Sequence, residues 1–453
     1  MEIYNIAYNL YVQDGEHEPK QMTNFTPVIE TAYYPLESSQ DDIPAYLGIQ
    51  LILEDGSVRS LTLPMTSNLA RTIVAEEPRA VLLKTGYAPL VQKYIVDQLS
   101  KTGRSGECQR GVYLPGNGTY RLADGQHVTV WNGRVAGSTK LEVPYMIKPT
   151  NTYRITNSID RPVPTLVRTL LENDAALVLP VAYALLVSRR DVLTAEQHPL
   201  QGGLYITGVQ SSGKTTLARR VFGYTERIGI PGKAALVLEA VSTEASVRDT
   251  LSENPGCVVI IDDLAHSSSR TIEAHRKKLG GAMLRLAANE GDSTKKGKTG
   301  KTDHRDCTSG IALTAEFVLD GVSELTRSIF VYLEKKLNLT EDVRPALIGA
   351  ILEDFADWFA DNYEHAIELL HKIADSPDIL KNLRVDGADE FTELLTRERR
   401  IQDNLALLQW AFVCMVEMIK STVKLSPHRE QALYEKFWMA VHLSVSKQVD
   451  EFA

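Results

Sequence analysis

The sequence predicts an α/β protein, with a three-layer core around a parallel sheet, an α+β N-terminal domain before it and a helical C-terminal domain after it. Three observations carry that expectation. Leu204 to Leu217, LYITGVQSSGKTTL, reads as a short apolar strand, the octet G-x-x-x-x-G-K-T and the start of helical spacing, which is a P-loop in its strand-to-helix context. Cys257 to Leu264, CVVIIDDL, is an apolar run ending in two carboxylates, the pattern of a strand covered on both faces. Strand-like and helix-like stretches alternate around these two, whereas past Thr340 apolar residues recur only at helical spacing.

From Met1 to about Pro64, IYNIAYNLYV, PVIETAYYPL, AYLGIQLIL and VRSLTLP read as strands, with a hairpin turn at Asp55-Gly56. Met65 to Ala75 and Ala88 to Leu99 read as amphipathic helices, the second striped by Val91, Tyr94, Ile95 and Leu99. A glycine-rich linker is expected at Thr102 to Gly106. Gly111 to Val143 returns to short strands broken at Gly116-Asn117-Gly118 and Asn132-Gly133, with His127 expected on a strand surface. Pro162 to Arg189 reads as two helices joined near Asn173-Asp174. Ala234 to Leu238 is β-rich, Arg270 to Ala288 helical, and Ile311 to Thr314 and Ile329 to Tyr332 are short apolar strands. In the last part Leu347, Ile351, Phe355, Phe359, Tyr363, Ile367 and Leu370 keep helical spacing, as do Leu433, Phe437 and Val441. Ser376-Pro377 and Ser426-Pro427 carry helix-start signals. The expected division is 1–155, α+β domain; 156–199, helical linker; 200–340, P-loop core; and 341–453, helical domain.

Composition bounds the function. Hydrophobic residues make up 43% and charged residues 24% of 453, as in globular proteins, and the net charge of −9 means that any nucleic-acid contact must be local. MEIYNIAYNL has no basic segment leading into an apolar core, and no run approaches eighteen apolar residues. The longest candidate, Ala175 to Val187, contains a proline and reads as a buried helix, so no membrane partner is expected. Cys108, Cys257, Cys307 and Cys414 lack C-x-x-C spacing, which argues for a reducing cytoplasm and against zinc.

The chemistry follows from the two motifs. Gly208, Val209, Gln210, Ser211, Ser212 and Gly213, with Lys214, Thr215 and Thr216, form a loop whose glycines let backbone N–H groups turn inward around a polyphosphate. Lys214 then reaches the β- and γ-phosphates and the Thr215 hydroxyl ligates Mg²⁺. Asp262 is placed to hold Mg²⁺ through water, and Asp263 to orient and deprotonate an attacking water. ATP and Mg²⁺ are the expected ligands. Two further features sit nearby. Between Ala288 and Ile311, the segment GDSTKKGKTGKTDHRDC concentrates Lys295, Lys296, Lys298, Lys301 and Arg305 in a Gly/Ser/Thr-rich loop suited to backbone phosphates. Arg327 directly precedes the last core strand, at the expected mouth of the sheet; it is either a structural charge, capping its helix or paired with Glu324, or one that reaches a γ-phosphate.

This order of P-loop, Asp-Asp strand, basic insert, strand ending in Thr314-Ala315-Glu316, and Arg327 resembles superfamily-three helicases and AAA+ ATPases. GLYITGVQSSGKTTL, VVIIDDL and the TAE segment look more closely like ATPases of unknown function carried with primases on phages and integrative elements. The resemblance covers about Ala175 to Leu339. It implies that Lys214 and Thr215 hold the Walker A positions, Asp262 and Asp263 the Walker B pair, Thr314 the sensor position and Arg327 the arginine-finger position. The second Walker B acid is Asp where Glu is commoner, and Thr314 stands where helicases often have Asn. The expectation is a hydrolase: an ATPase acting as a helicase- or translocase-like motor on single-stranded or forked DNA, as a homo-oligomeric ring. Two alternatives stay open, a nucleotide-gated DNA-binding switch or defence or initiator ATPase without unwinding activity, and a P-loop kinase of a small molecule.

Overall fold

Five strands, in the order Val237–Glu239, Val258–Leu264, Gly310–Ala315, Gly203–Gly208 and Ser328–Leu333, form an all-parallel sheet in the computed structural model of the chain. The structure describes all residues except 37–41, 67, 106–107, 150–152, 231, 240–241, 289–293, 297–301, 305–306, 320, 376–397 and 453; for 103–105, 294–296, 302–304 and 452 it describes the backbone alone. The chain divides into two compact units. One comprises Met1–Pro115, Arg121–Gln126 and Lys140–Pro149, the other Gly116–Tyr120, His127–Thr139 and Thr150–Ala453.

The first unit is built on a five-stranded sheet, Tyr145–Ile147, Gln109–Leu114, Phe25–Pro35, Tyr46–Leu53 and Val58–Pro64. Its last two strands are the expected hairpin. Gly56 turns the chain at φ +78°, and Asp55 Oδ1 accepts from the Ser57 amide at 2.8 Å, the side-chain turn that favours Asp there. Helices Leu69–Glu76 and Ala88–Ser105 bury Leu69, Ile73, Val91 and Ile95 against Leu47, Ile49 and Leu51. The linker expected at Thr102 to Gly106 is instead the helix's last turn as far as Ser105, because one glycine costs a helix only about 1 kcal/mol.

The second unit holds the parallel sheet. Except for the edge strand Val237–Glu239, its strands are buried almost without a break, five of six residues in Gly203–Gly208 and all of Gly310–Ala315, which requires cover on both faces and makes the core three layers. Helices Lys214–Phe222 and Arg270–Ala287 pack against it, and the all-apolar helix Val178–Ser188 is buried along its whole length. A short helix, Arg190–Ala195, follows it, beyond the two helices expected over Pro162 to Arg189. Two further elements are unanticipated: helix Glu244–Glu253, and the antiparallel pair Tyr153–Ile155 with Thr225–Arg227. Asn132 and Gly133, both at positive φ, make the tight turn between His127–Trp131 and Arg134–Val135. His127 is half-buried and not simply a surface residue, since its ring stacks on Tyr363 with centroids 4.0 Å apart.

The described residues after Thr340 are mainly helical: Pro345–Asp361, Tyr363–Ala374, Arg399–Thr422 and Pro427–Phe452. Leu347, Ile351, Phe355, Phe359 and Leu370 face the core as their spacing predicts, but the continuous stripe is cut at Asn362, whose amide side chain donates to the Trp358 carbonyl at 2.8 Å. Ser426 caps the last helix by accepting from the Arg429 amide at 3.4 Å; Ser376-Pro377 lies outside the described residues. Among the described residues one helix, Arg399–Thr422, is long and apolar enough to cross a bilayer, and 67% of its apolar window is buried inside the protein, against Val178–Ser188 and Tyr363–Ala374.

Candidate active site

The P-loop follows the C-terminal end of Gly203–Gly208, the edge at which open parallel sheets place their ligands. Gly208 sits at φ +145°, and a Cβ there would overlap the Leu333 carbonyl of the neighbouring strand. Val209 donates its amide to that same carbonyl at 3.2 Å, so the loop is stapled to the sheet at its first step. Ser211 at φ +61° and Gly213 at φ +99° then turn the chain into helix Lys214–Phe222. The first amides of a helix have no acceptor within it, and its N-terminus is electropositive, so the turn is a cradle for an anion. Gly208→Ala is expected to lower the melting temperature and to abolish nucleotide binding together, because overlap with a backbone oxygen displaces the loop itself. Thermal melting read beside an ATP titration checks both.

Lys214 is buried and its ammonium bridges two loop carbonyls, Gly208 O at 3.1 Å and Val209 O at 2.9 Å, which arches the side chain back over the cradle. Ser212 is also buried, with a hydroxyl that has no hydrogen-bond partner among the described residues. A cavity of about 290 Å³ is lined by Ser211 through Thr216 together with Asp263, Leu264, Thr314, Ala315 and Glu316. Val209 and Gln210 are exposed beside it.

Three side chains converge on Asp262. Its Oδ1 accepts from the hydroxyls of Thr215 at 2.9 Å and Thr314 at 2.6 Å, and its Oδ2 from Arg219 Nη2 at 2.9 Å. Thr314 also accepts the Asp263 amide at 3.1 Å, so one buried hydroxyl ties the carboxylate of the first aspartate to the backbone of the second. Between Ile261 and Leu264 the pairing with Gly310–Ala315 becomes irregular, and Asp263 takes φ +70°. The consequence is a division of exposure: Asp262 is buried, whereas the Asp263 side chain is 70% exposed and faces the cavity, with Arg276 Nη2 at 3.8 Å.

These residues fit a magnesium polyphosphate. The Thr215 hydroxyl and Asp262 carboxylate are hard oxygen donors of the kind Mg²⁺ takes, and the orphaned Ser212 hydroxyl and the helix-start amides are donors facing an anion-shaped loop. Arg219, Arg276 and Glu316 had no role on sequence grounds. For Arg219 the signal was present: it lies four residues after Thr215, on the same helix face, so both reach one carboxylate.

One candidate lies elsewhere. Arg327 precedes Ser328, which pairs with Gly203, whereas the P-loop begins after Gly208. At about 3.3 Å per residue that is roughly 20 Å across the sheet. Arg327 is therefore not at the mouth beside the P-loop but at the opposite edge, where it is buried and donates to the Ser323 carbonyl and hydroxyl in the preceding helical turn. The basic segment is not an open loop throughout. Thr294–Lys296 and Thr302–His304 pair as an antiparallel hairpin with Lys295 opposite Asp303; Lys298, Lys301 and Arg305 lie outside the described residues.

The chain shares its fold with a solved helicase. The structure described as "SCCmec type IV Cch - active helicase" matches with a TM-score of 0.60 over 98% of this chain and 79% of that one, at 12% sequence identity. No protein family and no curated protein matches the sequence. At that identity the likeness is one of fold, and the roles of the residues above rest on their own geometry.

Proposed function

We propose that the protein is a Mg²⁺-dependent ATPase and a helicase- or translocase-like motor of a phage or mobile element, with residues 200–340 as its catalytic core and 341–453 as a helical domain behind it. The observation that carries the reading is the convergence of Thr215, Thr314 and Arg219 on Asp262, beside a cradle arched over by Lys214. In this reading the loop amides and Lys214 bind the phosphates, and Thr215 and Asp262 hold the ion. Bound there, Mg²⁺ would neutralise charge on the β- and γ-phosphate oxygens. Asp263, exposed to the cavity and oriented through its amide by Thr314, takes the proton of the attacking water. The fold likeness to a chain described as an active helicase supports DNA as the substrate on which turnover acts. ATP-dependent strand separation of a forked duplex by the full chain is the direct test; DNA-independent turnover with nucleotide-locked assembly would favour a switch. A cytoplasmic location, with no membrane partner, is part of the proposal.

The basic hairpin is the proposed contact for single-stranded DNA. Replacing Lys295, Lys296, Lys298 and Lys301 by alanine is expected to weaken binding equally for all sequences and to flatten its salt dependence, since phosphate contacts release counterions without reading bases. A slope of log K against log salt equal to the parent's would remove the hairpin from the DNA path.

A ring gives Arg327 its proposed role. From the far edge of the sheet it is out of reach of its own P-loop, so a γ-phosphate contact has to be made on a neighbouring subunit, with the side chain released from Ser323. Arg327→Ala should keep ATP binding, lose on the order of 10³-fold in turnover and regain part of it when mixed with Lys214→Ala, because a mixed interface joins an intact arginine to an intact P-loop. A co-assembled mixture as inactive as its parts makes Arg327 a structural cap.

A further inference from the structure

Away from the P-loop, a turn and two helix residues bring two imidazoles and two carboxylates together. His371 and Asp375 are one helical turn apart at the end of Tyr363–Ala374, hence on one face. His198 arrives from the turn after Arg190–Ala195, where Gln197 at φ +63° reverses the chain and the His198 amide bonds to the Leu193 carbonyl at 2.8 Å. His198 Nε2 lies 3.5 Å from Asp375 Oδ1, and His371 Nδ1 lies 3.9 Å from Asp375 Oδ2. One ligand atom from each of the three residues falls within 4.8 Å of the others. We propose that His198, His371 and Asp375 bind one divalent transition-metal ion of the zinc type.

The geometry is close to what such an ion needs. Metal–ligand bonds of about 2.0–2.1 Å in a tetrahedron set neighbouring ligands roughly 3.3–3.4 Å apart, so the observed pairs must close by tenths of an ångström up to about 1.4 Å. Asp375, the most exposed of the three, has the freedom to do so. A carboxylate already stands behind one imidazole. The far nitrogen of His371, Nε2, lies 3.2 Å from Glu196 Oε2. A proton held there by the carboxylate leaves the Nδ1 lone pair facing Asp375, the arrangement in which an outer carboxylate fixes a ligating imidazole's tautomer and raises its basicity. Two imidazoles and one carboxylate suit Zn²⁺ and its neighbours in the first transition row far better than Mg²⁺ or Ca²⁺, with water completing the shell. The expectation against zinc rested on cysteine spacing. It could not detect donors 173 residues apart in sequence, which only the packing of the helical domain on the lead-in to the P-loop strand brings together. The ion would cross-link those two segments, and the inference does not depend on the ATPase reading.

The test uses the full-length chain stripped with a chelator, with Co²⁺ as a spectroscopic probe and Zn²⁺ in competition with a chromophoric chelator. The parent should bind one Co²⁺ with visible ligand-field bands that Zn²⁺ displaces, and its melting temperature should rise with Zn²⁺ concentration. His198→Gln, His371→Gln and Asp375→Asn should each lower Zn²⁺ affinity roughly 100-fold and lose the bands, while Glu196→Gln should lower affinity about 10-fold or more with the stoichiometry kept. Each variant should melt with the metal-free parent, which separates a lost ligand from a lost fold. No saturable binding by the parent, or an affinity unchanged in the His198→Gln/His371→Gln double variant, would leave the cluster a hydrogen-bonded surface group and overturn the proposal.

Discussion

Asp263→Asn is expected to bind Mg²⁺·ATP like the parent and to release phosphate at least ~100-fold more slowly. The substitution isolates the chemistry unusually well. Asp263 sits at φ +70°, a region that asparagine tolerates as readily as aspartate, so the backbone need not move. Its amide stays on the Thr314 hydroxyl, and its side chain is exposed to the cavity, so no core contact is lost. What changes is that an amide cannot take a proton. Single-turnover phosphate release beside an equilibrium ATP titration separates the two effects, and a turnover equal to the parent's would reject Asp263 as the base.

Lys214→Ala should act on binding itself. Among the described residues lining the cradle the ammonium is the one cation, and its two contacts are with loop carbonyls, so moving onto phosphate oxygens exchanges neutral acceptors for charged ones. Charge-assisted hydrogen bonds are worth about 1.5–3 kcal/mol each, and two of them correspond to roughly 10²- to 10⁴-fold in affinity. The fold should survive, since Val209 remains stapled to Leu333 and helix Lys214–Phe222 keeps its buried Leu217, Ala218 and Val221. A titration with a fluorescent ATP analogue measures the loss; an unchanged dissociation constant would mean that the cradle is not the phosphate site.

The core was legible because its signals are local. A P-loop needs its glycines and lysine at fixed spacing, and a strand buried on both faces reads as an unbroken apolar run. What the sequence concealed depends on distance or on weak periodicity. Helix Glu244–Glu253 buries only Val247 and Leu251, too few apolar residues to set a period, although Thr243 caps it by accepting from Ser246. The Tyr153–Ile155 and Thr225–Arg227 strands are three residues each and find one another across the sequence. The basic hairpin has no apolar face to announce a strand. Arg327 was misplaced for a different reason. In a parallel sheet the residue before one strand and the loop after its neighbour lie at opposite edges, so the parallel topology itself sets Arg327 away from the P-loop. Arg219 shows the converse: its spacing from Thr215 was visible, but its target, Asp262, became apparent only when the helix was set against the sheet.

Steady-state phosphate release by the full-length chain, with Mg²⁺·ATP and with the metal chelated, and with and without single-stranded DNA, tests the central claim most directly. The geometry around Asp262 and Lys214 predicts turnover that requires Mg²⁺ and disappears in Lys214→Ala; the proposed motor function adds the expectation that turnover rises with DNA. Turnover that persists in Lys214→Ala at the parent's rate, or an inability of the parent to bind ATP in the presence of Mg²⁺, would contradict it.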